Sequence, residues 1–358
     1  MGPYPPAASR KSSAVSFANP PGFGHQTEYR SCELPLAAAS KDLGRGLAVG
    51  PDGNPPRVII RVLPKGDSSM NRRQMLAMLP TMAFSTQIEK AAPGKARLRT
   101  AICAYSFREA LKAGKMTYEG LVRYAVEHEV DGLDLTVYWF PEPLSESWLL
   151  NLKRLAYRNA VEIYSIAVRT EMTRPTPELR RKEVEEVKKW VDVAASLGAG
   201  HIRVFGGRVP QGASEAEAAG WAAEVLAQAA EYAGRKGVIL GLENHGGITE
   251  RAETIIKIVN QVNSPWVGIN LDTGNFRSDV YRQIEMCLPY AVNAQVKSQI
   301  RDEAGRVIES DWDRIFSMFA RAGYRGYLAL EYEAKEPAET AVPRLLKRLR
   351  ELAVKYSA

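Results

Sequence analysis

Val238-Ile239-Leu240-Gly241-Leu242-Glu243-Asn244-His245 is a short apolar run that ends on polar residues. A helical pattern over 249–263 follows, and Val267-Gly268-Ile269-Asn270-Leu271-Asp272 then repeats the design. Apolar runs this short, bounded by helical patterns, read as buried strands of a parallel sheet. The same unit recurs in both directions. Strand candidates are Leu98–Phe107, Gly132–Trp139, Glu162–Thr170, His201–Gly206, Val238–Asn244, Val267–Asp272, Ala291–Ser298 and Gly326–Glu333. Helix candidates lie at 117–129, 145–160, 176–197, 214–236, 249–263, 279–287, 311–322 and 337–356. Thr176 before Pro177 makes an N-cap with proline at the first helical position, and Ser214 with Glu217 reads as a capping box. Gly198, Gly234 and Gly323 stand where helices should stop.

Eight strand-then-helix units predict an α/β fold, a closed (β/α)8 TIM barrel over residues 98–358. A doubly wound open sheet would carry a glycine-rich phosphate loop after its first strand, and Tyr105-Ser106-Phe107 is not one.

Upstream the text is different. Residues 1–69 are rich in Pro, Gly, Ala and Ser, with Arg57–Leu63 the one stretch that reads as a short strand. They are expected to be largely disordered and are a candidate for removal from the mature protein. Residues 70–97 open with Met70-Asn71-Arg72-Arg73-Gln74-Met75-Leu76, an apolar run to Phe84, then polar residues and Ala91-Ala92. That order resembles a twin-arginine export signal followed by a linker, and the expectation is export to the periplasm, with the cytoplasm as the alternative. A basic patch before a short amphipathic helix is the competing reading, and Pro80 within the apolar run counts for it.

Of the 358 residues, 1–97 hold 13 Lys/Arg against 6 Asp/Glu, which is the whole of the +7 net charge; 98–358 hold 35 of each. The barrel therefore has no global electrostatic case for nucleic acid. No run approaches the roughly 20 apolar residues of a membrane span. Cys32, Cys103 and Cys287 show no metal-ligand spacing, and the last two read as core packing.

Active sites of such barrels lie at the carboxyl ends of the strands. There the chain places Glu243, Asp272, Gln295 with Lys297, and Glu331 on four successive strands. Alternation turns Leu240 and Leu242 outward and Glu243 inward, and sets Glu331 against Leu330 and Tyr332 in the same way. A buried carboxylate is costly unless it is paired or bound to metal. Three carboxylates and an amide converging from four strands would make an oxygen-rich site for one divalent cation, Mn²⁺, Mg²⁺ or Co²⁺. The competing reading is a set of buried ion pairs with Lys297 and Arg301 as counter-ions.

Leu-Glu-Asn-His at 242–245, Leu-Asp-Thr-Gly-Asn at 271–275, Gln-Val-Lys at 295–297 and Leu-Glu-Tyr-Glu at 330–333 resemble the xylose-isomerase-like barrel superfamily. The likeness is to its sugar isomerase/epimerase branch around ketose 3-epimerases. It implies one divalent metal on Glu243, Asp272, Gln295 and Glu331, with Glu243 and Glu331 also moving protons. It further implies that Arg301, six residues past Gln295, holds substrate hydroxyls. Two positions depart from the family's pattern: Gln295 and Asn275 stand where members usually or often carry histidine. The histidine-rich three-zinc site of the superfamily's DNA-repair endonucleases is not expected in a chain with four histidines.

The chemistry expected is proton abstraction beside a sugar carbonyl, through an enediolate stabilised by the metal, with Glu243 and Glu331 as opposed bases. The partner is a small-molecule sugar; nucleic acid and membrane are not expected, and a homo-oligomer is left open. A lyase or dehydratase acting on a keto-sugar or cyclic polyol uses the same intermediate. A non-catalytic carbohydrate-binding barrel is the alternative from another class. Tyr105 and Trp139, beside Phe107 and Tyr138, are placed to stack on a sugar ring, and His245, Asn275 and Lys297 to contact it. Arg169 and Arg203 stand near the mouth, and periodicity does not decide whether they enter it. His201 opens its strand at the far end from the mouth and reads as structural, His128 as surface, and Phe205-Gly206-Gly207-Arg208 as a tight turn.

Overall fold

The computed structural model describes residues 95–357. The readings of residues 1–69, of Arg57–Leu63, of the twin-arginine stretch and of Cys32 lie outside the described residues. Of 70–97, residues 95–97 are described, and Arg97 already opens the first strand.

In chain order the elements are β1 (Arg97–Cys103), α1 (Arg108–Lys112), α2 (Tyr118–Glu127), β2 (Gly132–Thr136), α3 (Glu146–Arg158), β3 (Glu162–Ala167), α4 (Pro177–Leu197), β4 (His201–Phe205), α5 (Glu215–Lys236) and β5 (Ile239–Glu243). They continue with α6 (Ala252–Val262), β6 (Val267–Asp272), α7 (Val280–Cys287), β7 (Ala291–Val296), β8 (Gln299–Arg301), β9 (Val307–Glu309), α8 (Trp312–Arg321), β10 (Arg325–Leu330) and α9 (Ala338–Tyr356). The sheet closes in the order β1-β10-β7-β6-β5-β4-β3-β2, while β8 and β9 pair antiparallel as a separate hairpin. This is the TIM barrel the eight repeats predict.

Strand centres match expectation, and Val267–Asp272 matches to the residue, while the first two strands end early. Leu98–Phe107 stops at Cys103, with 104–107 forming a 3-10 turn, and Gly132–Trp139 stops at Thr136 before a second turn. The reason at the first is local: the Ser106 hydroxyl donates to the Leu330 carbonyl (3.0 Å) and accepts from the Tyr332 N–H (2.9 Å), replacing ladder bonds with side-chain bonds. The hairpin and α1 were not legible from periodicity.

Helix termini follow their signals. The Ser214–Glu217 capping box is present, and Thr176 caps α4. Gly198 ends α4 at φ 82°, a left-handed conformation that favours glycine. Gly234 is a correction: it lies inside α5, which ends at Gly237. A Cβ on Gly234 would come within 2.5 Å of the Trp266 ring, so its absence admits a close helix–strand contact rather than a stop.

Leu133, Leu135, Ile202, Val204, Leu240 and Leu242 are fully buried in the apolar core. They are the outward-facing members of their strands, packed between sheet and helices. Inside the barrel, Tyr164 stacks on Tyr327 with centroids 3.8 Å apart, and Gly132 leaves the room they need. Above them His201 fills the space beside Gly241, where a Cβ would meet the ring at 2.2 Å.

Candidate active site

A chain of neutral groups rises from the barrel floor. The Tyr164 hydroxyl donates to Asn293 Oδ1 (3.2 Å), Asn293 Nδ2 to Asn270 Oδ1 (2.7 Å), and Asn270 Nδ2 to Gln295 Oε1 (2.8 Å). Gln295 Nε2 then points to Asp134 Oδ2 at 3.4 Å and to the Cys103 sulfur at 3.9 Å. Gln295 Oε1, the expected fourth ligand, thus accepts from Asn270 on the floor side and keeps one lone pair.

The charged layer lies above. Glu243, at the last position of β5, is 2% exposed; Asp272, ending β6, is 0% exposed; Glu331, one residue past β10, is 5% exposed. Backbone geometry fixes two of them: Asn244 exchanges hydrogen bonds with the Asp272 N–H (2.8 Å) and carbonyl (2.9 Å), locking β5 to β6. The Glu331 N–H donates to the Val296 carbonyl at 3.1 Å. Asn275 Nδ2 donates to Glu243 Oε1 (3.0 Å), and Arg203 Nε lies 2.9 Å from Glu243 Oε2 without hydrogen-bond alignment. Lys297 Nζ stands 3.0 Å from Glu331 Oε2 and 3.4 Å from Asp272 Oδ2, and makes a shorter contact to Glu333 at the rim.

Four buried carboxylates, counting Asp134, therefore face two buried cations, Arg203 and Lys297. Burial raises Asp272 against the pull of Lys297, and repulsion from Glu331 and Glu243 adds to the rise. Burial likewise raises Glu243 despite Arg203. Glu331 differs: burial pushes it up, but Lys297 and Arg203 together hold it below the ordinary value. Asp134 is pushed up to about 6 by burial, against the pull of Arg203.

The donor chemistry fits a divalent cation. Glu243 Oε2 and Asp272 Oδ2 are buried and accept no hydrogen bond, and hard oxygen donors of this kind suit such an ion. Their spacing does not fit one as it stands: among the described residues no three His, Cys, Asp or Glu side chains are gathered to hold a metal. An ammonium stands among them instead.

Of the expected contacts, Glu243, Asp272, Glu331, Lys297 and Asn275 come together. Arg301 sits on β8, donates to the Gly305 carbonyl (3.0 Å), and lines a cavity of about 200 Å³ shared with Asn275, Lys297 and Glu333. Tyr105 stacks on Trp139 (centroids 6.0 Å), with Tyr138 edge-on to both. His245 is exposed, its ring 4.1 Å from that of Phe205, and it lines a separate cavity with Arg169 and Arg208. His201 is buried, bonded through Nδ1 to Ser165 Oγ at 2.8 Å.

Three neighbours were missed. Asp134 lies between Leu133 and Leu135, the same signal that marks Glu243. The Cys103 thiol, read as packing, donates to Glu331 Oε1 at 3.6 Å. Glu333 sits in the Leu-Glu-Tyr-Glu motif two residues past Glu331, and no sequence signal separates it from an ordinary loop carboxylate.

The chain belongs to the xylose isomerase-like TIM barrel family, whose model matches residues 122–352. In fold it is similar to D-psicose 3-epimerase from Clostridium cellulolyticum H10, solved with D-tagatose: 16% identity, TM-score 0.57, covering 72% of this chain and 98% of that one. It is also similar to the IolI protein solved with a zinc atom (15%, TM-score 0.60, covering 72% and 98%). A third is 3-keto-D-glucoside 4-epimerase, YcjR, from E. coli (14%, TM-score 0.55, covering 72% and 100%). No curated protein matches the chain in sequence. Among the described residues no helix is long and apolar enough to cross a membrane.

Proposed function

We propose that the protein is a divalent-cation-dependent isomerase or epimerase that moves a proton on a carbon next to the carbonyl of a small sugar. The observation that carries the reading is the pair Glu243 and Glu331, buried on strands that are not neighbours, each tied to its own cation. The 3-epimerase and 4-epimerase among the similar folds support it.

Glu243 and Glu331 take the proton from one face of the sugar and return it to the other, which inverts the carbon. Asn275 and Arg203 hold the Glu243 carboxylate, so it need not reorient before the proton moves. Arg203 also brings fixed positive charge to a dry site where an oxyanion develops. A Mn²⁺, Mg²⁺ or Co²⁺ ion on Glu243, Asp272 and Glu331 would add charge stabilisation to the same oxygen. Tyr105 and Trp139 offer an apolar wall for the ring, and Arg301 a donor at the rim.

The test is solvent deuterium incorporation into a panel of ketoses, keto-sugars and aldoses, with protein supplied with each ion. Label at one carbon, dependent on the cation, is the expected result, and the products distinguish epimerase, isomerase and lyase. Absence of label across the panel, despite a folded protein that binds the cation, would overturn the reading in favour of a binding barrel.

A further inference from the structure

Lys297 is held unusually firmly for a lysine. Its N–H donates to Thr273 Oγ1 (3.1 Å) and its carbonyl accepts from Trp312 Nε1 (2.8 Å). Its stem runs against Gly274, where a Cβ would come within 2.5 Å of the Lys297 Cγ. The ammonium at the end of this fixed stem touches three carboxylates: Asp272, Glu331 and Glu333. Two are buried. The third, Glu333, has a side chain 41% exposed and so faces water.

Distances decide what this arrangement can hold. Nζ sits 3.0 Å from Glu331 Oε2, the length of a charge-assisted hydrogen bond. A Mg²⁺ ion sharing those oxygens needs them at about 2.0–2.1 Å, so the carboxylates would have to draw inward. An ammonium in ion-pair contact with two of the three ligands would then lie within a few ångströms of a doubly charged ion. At such a separation in a dry site the two cations repel each other strongly. Ion and ammonium do not share the set.

We infer that Lys297 is a built-in competitor for the cation: its ammonium occupies the carboxylate set when no divalent ion is bound, and gives up Asp272 and Glu331, keeping only Glu333 at the rim, when one enters. The inference rests on the reading of Glu243, Asp272 and Glu331 as a cation-binding set, and it adds a consequence. Asp272 Oδ2 stays without a hydrogen bond although Lys297 Nζ is 3.4 Å away, so the ammonium leaves that oxygen open to an ion. Occupancy by Lys297 keeps the metal-free barrel folded while weakening its hold on the ion.

Two measurements on the full chain test this. The first is Mn²⁺ binding by calorimetry to the wild type, to Lys297→Met and to Lys297→Arg. Lys297→Met should bind Mn²⁺ at least about tenfold more tightly than wild type, and Lys297→Arg no more tightly. Lys297→Met should also melt at a lower temperature without Mn²⁺ and gain more on adding it. The second needs no variant: labelling of lysines by an acylating reagent, read by peptide mass spectrometry with and without Mn²⁺. Lys297, 8% exposed without the ion, should become several-fold more reactive with it.

Equal Mn²⁺ affinity in wild type and Lys297→Met, with unchanged labelling of Lys297, would overturn the competitor role and leave the cation-dependent reading standing. Failure of both wild type and Lys297→Met to bind Mn²⁺ would overturn both together.

Discussion

Two layers of the same barrel interior are built on opposite terms. The lower one, Tyr164, Asn293, Asn270 and Gln295, is neutral and linked through by three hydrogen bonds of 2.7–3.2 Å. The upper one, Glu243, Asp272 and Glu331 with Arg203 and Lys297, is charged and leaves two carboxylate oxygens without a donor. Both are buried, so the contrast does not come from solvent. A satisfied neutral network makes the closed sheet rigid and specific. An unsatisfied charged layer costs stability, and such a cost persists where a ligand or a reacting group completes the set. The floor holds the barrel shut; the mouth is left open to chemistry.

The contrast can be broken most forcefully from above. Glu243→Gln and Glu331→Gln should each lower turnover by about 10³-fold, within the usual range for a general acid or base. Far-ultraviolet circular dichroism should stay native, because amides fill the same space. Normal turnover in either variant, on a substrate the wild type converts, would remove that glutamate from the reaction.

From below, Asn270→Ala should cut the neutral chain in the middle, stranding Asn293 Nδ2 and Gln295 Oε1. Each stranded buried group costs about 1–3 kcal/mol, so the variant should unfold at lower denaturant concentration. A midpoint equal to wild type would show that the floor network carries no stability.

His201 sharpens the boundary between the layers. Burial, helped by Arg203, lowers its pKa from 6.5 to about 3, so the folded state keeps it neutral. Below pH 6.5 the unfolded chain binds the extra proton and the folded one does not. The His201 contribution is therefore complete above pH 6.5 and is lost as pH falls toward 3. His201→Gln should lose less stability than wild type over that interval, measured as the difference between their denaturation midpoints at pH 7 and pH 4. Parallel loss in both proteins would show that His201 does not drive the acid limb.

The smallest effect belongs to the rim. Tyr105→Ala and Trp139→Ala should raise KM several-fold with little change in kcat, since ring stacking binds substrate and transition state alike. A fall in kcat at constant KM would instead place the aromatic wall in the reacting geometry.

How much of this was legible follows the same division. Glu243, Asp272 and Glu331 were readable because each breaks an apolar strand whose alternation fixes the direction it points. Asp134 carries that signal in Leu133-Asp134-Leu135, but strand two was read on to Trp139, drawing attention to its aromatic end. Gln295 was read as a ligand from its place in the strand; its oxygen accepts from Asn270, a partner that a single strand cannot reveal. Lys297 was recognised as a contact, yet where its ammonium comes to rest depends on Gly274, Trp312 and Glu333 together. The β8–β9 hairpin left no periodic trace in strands this short, and so Arg301 was placed by motif rather than by fold.

The most direct test of the central claim is deuterium wash-in by the two glutamine variants, each given both epimers of a substrate that the wild type interconverts. Two opposed bases predict that Glu243→Gln labels one epimer and Glu331→Gln the other, with neither variant converting one into the other. Labelling of both epimers by either variant would contradict the scheme, because a single group would then be serving both faces.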